Sequence, residues 1–109
     1  MKYIIKEKKL SEVELFLLRR VSWDKILEGL NDGIKWSERR YERYKNNPNE
    51  MNSFRYHNMV MGVLMDYIVG DLIEYEENSI DLDLYRQIER YLSELFSDVI
   101  KDSYNKITD

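Results

Sequence analysis

Carboxylates are the most abundant groups in this sequence that could do chemistry. Of its 109 residues, 21 are Asp or Glu, against one His and no Cys. Glu74 and Glu77 have a Glu-x-x-Glu spacing suited to Mg²⁺, and Glu94 and Asp98 are four residues apart. Mg²⁺ needs several converging oxygen ligands in near-octahedral geometry. Because Glu77 lies beside a predicted helix end and Glu94 falls opposite the apolar face of its helix, we interpret these residues as a solvated acidic surface. We predict no enzyme, no metal site and no cofactor.

The single histidine, His57, falls on the predicted inward face of a helix. A general base needs a second titratable group within reach, and none occurs at neighbouring helical spacing. We therefore interpret His57 as a hydrogen-bonded structural residue. The four glycines form no phosphate-binding motif, and the lack of Cys excludes thiol catalysis, disulfides and thiolate zinc sites.

The residues most informative about function lie in the basic stretch 35–45. On a helix, Trp36, Arg40 and Arg43 share one side, with Arg39 at its edge. A tryptophan surrounded by arginines is typical of a hot spot in a protein interface. It can also stack on nucleotide bases while the arginines neutralise phosphates. The alternative is that Trp36 packs into a neighbouring helix, with the arginine stems lying over it.

A second candidate surface is acidic. Residues 1–48 hold 12 basic and 8 acidic side chains, whereas residues 49–109 hold 5 and 13. Either the two halves complement each other within the fold, or one face meets a charged partner. The partner-binding residues predicted in the acidic half are Asp71, Glu74, Tyr75, Glu77, Asp81 and Asp83.

Helical periodicity predicts the elements that position these residues. We expect an all-α fold, a single compact bundle of about four helices over roughly 11–30, 34–46, 48–77 and 81–105, with the third helix central. Residues 1–10 are expected to be flexible or to form a short strand. A mixed alternative has short strands at 3–5 and 79–84.

Capping and turn residues set the predicted boundaries. Ser11 followed by Glu14 predicts the first helix start, and that helix either continues through Ser22 or restarts there. Asn31-Asp32-Gly33 predicts a turn, because Gly accepts positive φ and Asn and Asp tolerate it. Asn47 before Pro48 predicts the start of the third helix.

The predicted third helix is apolar around most of its girth. Its expected inward stripe consists of Met51, Phe54, Asn58, Met61, Met65, Ile68, Leu72 and Tyr75. Other apolar residues, Met59 and Val63 among them, lie on the opposite side. Such a helix must be covered on two sides. It is therefore either the centre of the bundle or part of an interface between two copies of the chain, and a homodimer through 48–77 stays open.

The composition indicates the class of protein and its cellular location. Charged residues make up 35% of the chain and apolar residues 43%, which predicts a folded domain with a heavily solvated surface. No run of about 20 apolar residues occurs and no export signal is apparent, so we expect a cytoplasmic protein without a membrane span. Ala is absent while Ile, Lys, Asn and Tyr are plentiful, which indicates AT-rich coding, as in a low-GC bacterium, a phage or another mobile element.

The function predicted from these features is contact with a partner. Residues 22–45 have the length of a helix-turn-helix, but placing Gly33 in the turn puts Arg39 and Glu42 where that motif packs apolar side chains. We expect a non-enzymatic protein–protein interaction module, a small regulator, adaptor or inhibitor that masks a partner's site. The alternative is a nucleic-acid-binding regulator that uses the basic helix 34–45.

Overall fold

Four α-helices and one π-helical segment make up the fold in a computed structural model, which describes residues 12–73 and 80–109. They are α1 (Glu12–Arg20), α2 (Trp23–Tyr44), α3 (Ser53–Met65), the π segment (Asp66–Ile73) and α4 (Leu82–Thr108). No strand occurs in these two ranges. The predicted all-α bundle of about four helices is confirmed. Ser11 and the predictions for residues 1–10 lie outside the described residues.

The first two helices are divided at Ser22. Its backbone is extended (φ −70°, ψ 156°), and its hydroxyl accepts a hydrogen bond from the backbone N–H of Lys25 at 3.2 Å. This cap starts α2 one residue later. The predicted turn at Asn31-Asp32-Gly33 is wrong, because α2 runs through it without a break. The separate helices 11–30 and 34–46 are therefore replaced by a short α1 and one long α2, and no helix-turn-helix lies in 22–45.

Gly33 and Gly29 serve the packing of α2 against α3. A Cβ added at Gly33 would lie 2.7 Å from the backbone oxygen of Val60, and one at Gly29 would lie 2.9 Å from side-chain atoms of Leu64 and Tyr67. Neither glycine has a positive φ. The sequence pattern at Gly33 thus reflects a close helix crossing, because only a residue without a side chain fits between the two backbones.

The third helix starts five residues later than predicted. Asn47 caps only a single turn, in which its side-chain oxygen accepts from the backbone N–H of Asn49 at 3.1 Å. The residue that caps α3 is Asn52, whose Oδ1 accepts from the backbone N–H of Arg55 at 3.0 Å. Asn52 also donates to the backbone oxygen of Pro48 at 2.9 Å, which fixes the turn onto the helix.

The central position of the third helix is confirmed. α2 packs along α3, α4 contacts it as well, and the π segment continues its axis. Its buried side is the row Tyr56, Val60, Leu64 and Ile68 with Met61, Met65 and Val69 beside it. Phe54 and Asn58, predicted to point inward, are exposed instead. α2 and α4 therefore cover the buried side of α3 within one chain, while Phe54 near its start stays exposed.

The last helix follows the prediction closely at its start. The carboxylate of Asp81 accepts a hydrogen bond from the backbone N–H of Leu84 at 2.8 Å, so the cap excludes the alternative strand over the described part of 79–84. α4 then continues to Thr108, three residues past the predicted end. Within the described ranges, no helix is long and apolar enough to cross a membrane.

Candidate functional site

The second half of α2 presents a cluster of one tryptophan and three arginines. Trp36, Arg39, Arg40 and Arg43 recur at helical spacing and together line a shallow hollow of about 180 Å³. Trp36 is 46% exposed and is not part of the buried core. The guanidinium group of Arg40 is placed over its ring, as in the alternative interpretation, and the rest of the indole is open to solvent. All four residues predicted from this stretch are thus brought together on one accessible face.

Arg40 links the two aromatic residues of this face. Its guanidinium carbon lies 5.8 Å from the ring centre of Trp36 and 4.8 Å from that of Tyr44. Both distances fall in the range of cation–π attraction, about 6 Å or less. Arg40 is half-buried, and its position between two rings holds the indole and the guanidinium in a defined arrangement. A preordered face of this kind loses less conformational entropy when it binds.

A neighbouring hollow extends this face from α2 to the start of α3. Trp36 and Arg40 line it together with the α3 residues Phe54, Arg55 and Met59, and the carboxylate of Glu50 also belongs to its lining. Phe54 is 72% exposed, which makes it the most exposed large apolar side chain of the described residues. We call the combined area the Trp36 surface; it comprises Trp36, Arg39, Arg40, Arg43, Phe54, Arg55 and Met59.

The arginines of the Trp36 surface are not paired with any carboxylate that the structure describes. Within residues 12–73 and 80–109, no carboxylate lies in ion-pair distance of Arg39, Arg40, Arg43 or Arg55. Glu42, on the same helix, instead contacts the ammonium group of Lys45 at 3.3 Å. The guanidinium groups are therefore free to bind an external anion, and the surface combines positive charge with exposed aromatic area.

Phe54, Arg55 and Met59 are the functional candidates that the sequence pattern missed. Phe54 was assigned to the inward stripe because it follows Met51 at three-residue spacing. It is the second residue of α3, and Asn52 breaks the helical register between it and Met51. The polar neighbours Ser53 and Arg55 on either side of Phe54 are a signal in the sequence that is consistent with an exposed position.

A second groove lies between α3 and α4, on the other side of Phe54. Phe54, His57, Ile100 and Tyr104 line it, with Lys101 at its edge. His57 Nε2 lies 2.9 Å from Ser93 Oγ, which confirms the predicted hydrogen-bonded histidine. Burial lowers the pKa of His57 below its ordinary value of 6.5, because desolvation disfavours the imidazolium form. We call this the Phe54 groove.

The acidic candidates are spread over two elements. Asp71 is exposed on the π segment, and Asp81 and Asp83 are exposed at the start of α4. Asp81 caps the helix, and Asp83 accepts a hydrogen bond from the side-chain amide of Gln87 at 2.9 Å. These contacts give the two α4 carboxylates local structural roles. Glu74, Tyr75 and Glu77 lie outside the described residues.

A polar cluster on the outer side of α2 and the π segment provides a further set of titratable groups. The hydroxyl of Tyr67 donates to Glu28 Oε1 at 2.7 Å, and Lys25 Nζ lies 3.4 Å from the same oxygen. The hydrogen bond from Tyr67 and the charge of Lys25 lower the pKa of Glu28, while the carboxylate raises the pKa values of Tyr67 and Lys25. Because the polar groups of this cluster pair with one another, we interpret the cluster as a structural contact between α2 and the π segment and not as a binding site.

Metal ligands do not gather in the described residues. No group of three or more His, Asp or Glu side chains there has the arrangement needed to hold a metal ion. Of the carboxylates considered for Mg²⁺, Glu94 and Asp98 are exposed on α4, and Glu74 and Glu77 lie outside the described residues.

Comparison with known proteins gives no functional assignment. Neither protein-family models nor curated proteins nor solved structures include a significant match to this chain.

Proposed function

We propose that this protein is a non-enzymatic protein–protein interaction module, a small cytoplasmic regulator, adaptor or inhibitor that masks a site on its partner. The observation that carries the proposal is the Trp36 surface itself. It places an exposed indole and an exposed phenyl ring among four arginines that have no described acidic partner.

The chemistry of this surface matches that of strong protein interfaces. Tryptophan and arginine are over-represented among the residues that dominate binding energy, and large exposed apolar side chains beside charged ones mark interaction sites. On such a surface, the aromatic rings supply affinity through burial, and the arginines speed the encounter and select an acidic partner.

The affinity of the module for its partner should depend on Trp36. The test is capture of proteins from the native host, read by mass spectrometry, with the wild-type chain, Trp36→Ala and Leu27→Ala as baits. Leu27 is exposed on the same helix, nine residues before Trp36, and so lies on the opposite face. We expect a partner that is retained by Leu27→Ala and lost by Trp36→Ala, with far-UV circular dichroism unchanged in both. Equal recovery by Trp36→Ala would contradict the proposal.

Nucleic-acid binding is the second candidate, because the same arginines could contact phosphates and Trp36 could stack on bases. A gel shift at increasing salt separates the two functions. Phosphate contacts give an affinity that falls steeply with salt concentration. We expect no shift at low salt; a shift that disappears on salt addition and in Arg39→Ala would favour the regulator of nucleic acids.

A further inference from the structure

We infer that the Trp36 surface and the Phe54 groove together bind an extended acidic segment of a partner protein, one that also carries a large apolar side chain. The inference rests on the proposed function and specifies the chemistry of the partner. Phe54 lines both depressions. The two therefore form a continuous path that leads from the end of α2, across the start of α3, to α4.

The α2 end of this path is suited to carboxylates. Arg39 and Arg43 are exposed, Arg40 is ordered between two aromatic rings, and Arg55 lies on the facing helix. A guanidinium group presents parallel N–H donors that match the two oxygens of a carboxylate. Because no described carboxylate pairs with these arginines, a partner's Asp or Glu would meet them without displacing an internal ion pair.

The α4 end of the path is suited to an apolar side chain. The Phe54 groove has a volume of about 460 Å³ and its walls include Ile100 and Tyr104. Phe54 stands between this groove and the arginines with 72% of its surface exposed. An aromatic or large aliphatic side chain placed here would cover Phe54 and remove apolar area from water. We take the segment to be extended, because an extended chain covers the greatest length per residue and so reaches both ends of the path with few residues.

A peptide fits these two ends better than a nucleic acid does. A nucleic acid carries a phosphate at every nucleotide, whereas the Phe54 groove offers only Lys101 as a described basic side chain. Glu50 lines the hollow between Trp36 and Phe54, and the whole chain carries a net charge of −4. These negative charges disfavour binding of a nucleic acid, which carries a charge at every position. They are compatible with a peptide that has a few carboxylates followed by a large apolar side chain.

The test is selection of random dodecapeptides displayed on phage against the purified wild-type chain. We expect the enriched peptides to combine Asp or Glu with an aromatic or large aliphatic residue. One selected peptide is then synthesised, labelled, and its Kd measured by fluorescence anisotropy for a set of variants. The double variant Arg39→Glu/Arg43→Glu should weaken binding by at least about tenfold, since each lost bond to a charged group alone can account for that factor. Phe54→Ser should weaken it as well.

The control is the double variant Arg19→Glu/Arg20→Glu, which makes the same charge change at exposed positions of α1 that line neither depression. It should leave the Kd within about twofold, since exposed charges away from the contact contribute little. A selected peptide that binds Arg39→Glu/Arg43→Glu as tightly as the wild type would overturn the inference. So would enrichment of peptides without acidic residues, or no enrichment at all.

Other occupants would also overturn the inference, and each has its own readout. A single-stranded oligonucleotide that displaces the peptide and binds more tightly identifies nucleic acid as the ligand. Self-association of the wild-type chain that Arg39→Glu/Arg43→Glu abolishes identifies a second copy. If the inference fails in any of these ways while host capture still depends on Trp36, the proposed interaction function stands and only the assigned partner chemistry is wrong.

Discussion

At the scale of single residues, His57 links the candidate site to the stability of the fold. Its pKa is lowered by burial from 6.5, so the unfolded chain binds a proton that the folded chain resists. The contribution of His57 to the free energy of unfolding should therefore be constant above about pH 6.5 and decrease as the pH drops below it. This loss comes before that of the carboxylates, because Glu28, whose pKa is lowered from 4.5, titrates at lower pH.

His57→Gln should remove this early loss of stability. The variant keeps a group that can bond to Ser93 Oγ but does not titrate. Urea denaturation at several pH values is the measurement, and His57 is the only histidine in the chain, so no second imidazole obscures it. An unchanged pH profile in the variant would mean that the stability loss has another source.

The sequence alone predicts the position of some residues of the Trp36 surface and not of others. Trp36, Arg39, Arg40 and Arg43 could be grouped because one unbroken helix carries all of them, and helical spacing alone sets their face. Phe54 could not be placed in the same way. Its exposure depends on where α3 starts, and that depends on a choice between Asn47 and Asn52 as the cap. Both asparagines have a suitable side chain, so local sequence does not decide between them.

At the scale of helices, Gly33 tests the close crossing of α2 and α3. Gly33→Ala should destabilise the fold by about 1–3 kcal/mol, because the added methyl group would meet the backbone of Val60, which cannot rotate away. Gly62→Ala is the matched control, since nothing lies within 4 Å of its added Cβ. It should stabilise the protein by up to about 1 kcal/mol through helix propensity. Thermal or urea denaturation of both variants gives the comparison. Destabilisation of the two by equal amounts would show that the crossing is not close.

Asp81 tests whether a predicted partner-binding residue acts as a helix cap. Asp81→Ala should lower the free energy of unfolding by about 1 kcal/mol, because the backbone N–H of Leu84 loses its acceptor. Asp81→Asn keeps a capping oxygen and should cost much less. Urea denaturation measures both. If the asparagine variant is as unstable as the alanine variant, the helix is stabilised by the negative charge of Asp81 rather than by its capping hydrogen bond.

The helices show why capping patterns predicted some boundaries and not others. The last helix was predicted to start at 81, one residue before its observed start at Leu82, and Asp81 is its cap rather than its first residue. The Asn31-Asp32-Gly33 pattern failed because glycine has two uses, positive φ in a turn and close approach in a helix crossing. Only the residue opposite Gly33, Val60 on another helix, distinguishes them, and that is long-range information which a local pattern does not contain.

At the scale of the whole molecule, the packing of α3 bears on the oligomeric state. α2 and α4 both contact α3, and its buried row faces other helices of the same chain. No second copy is needed to cover it. We predict that light scattering on the pure protein gives a mass near 13.3 kDa. A mass twice as large, reduced to one copy by Phe54→Ser, would instead favour the homodimer through the third helix.

We propose that the molecule works by contact with a partner through the Trp36 surface. Its two tryptophans provide a built-in comparison, because Trp23 lies at the other end of the surface helix, about 20 Å away along the axis, and its ring packs near Phe96. The measurement is the NMR spectrum of the two indole N–H groups during titration with the partner recovered by host capture. We predict that the Trp36 resonance shifts or broadens while the Trp23 resonance stays in place. A shift of Trp23 with Trp36 unchanged would contradict it.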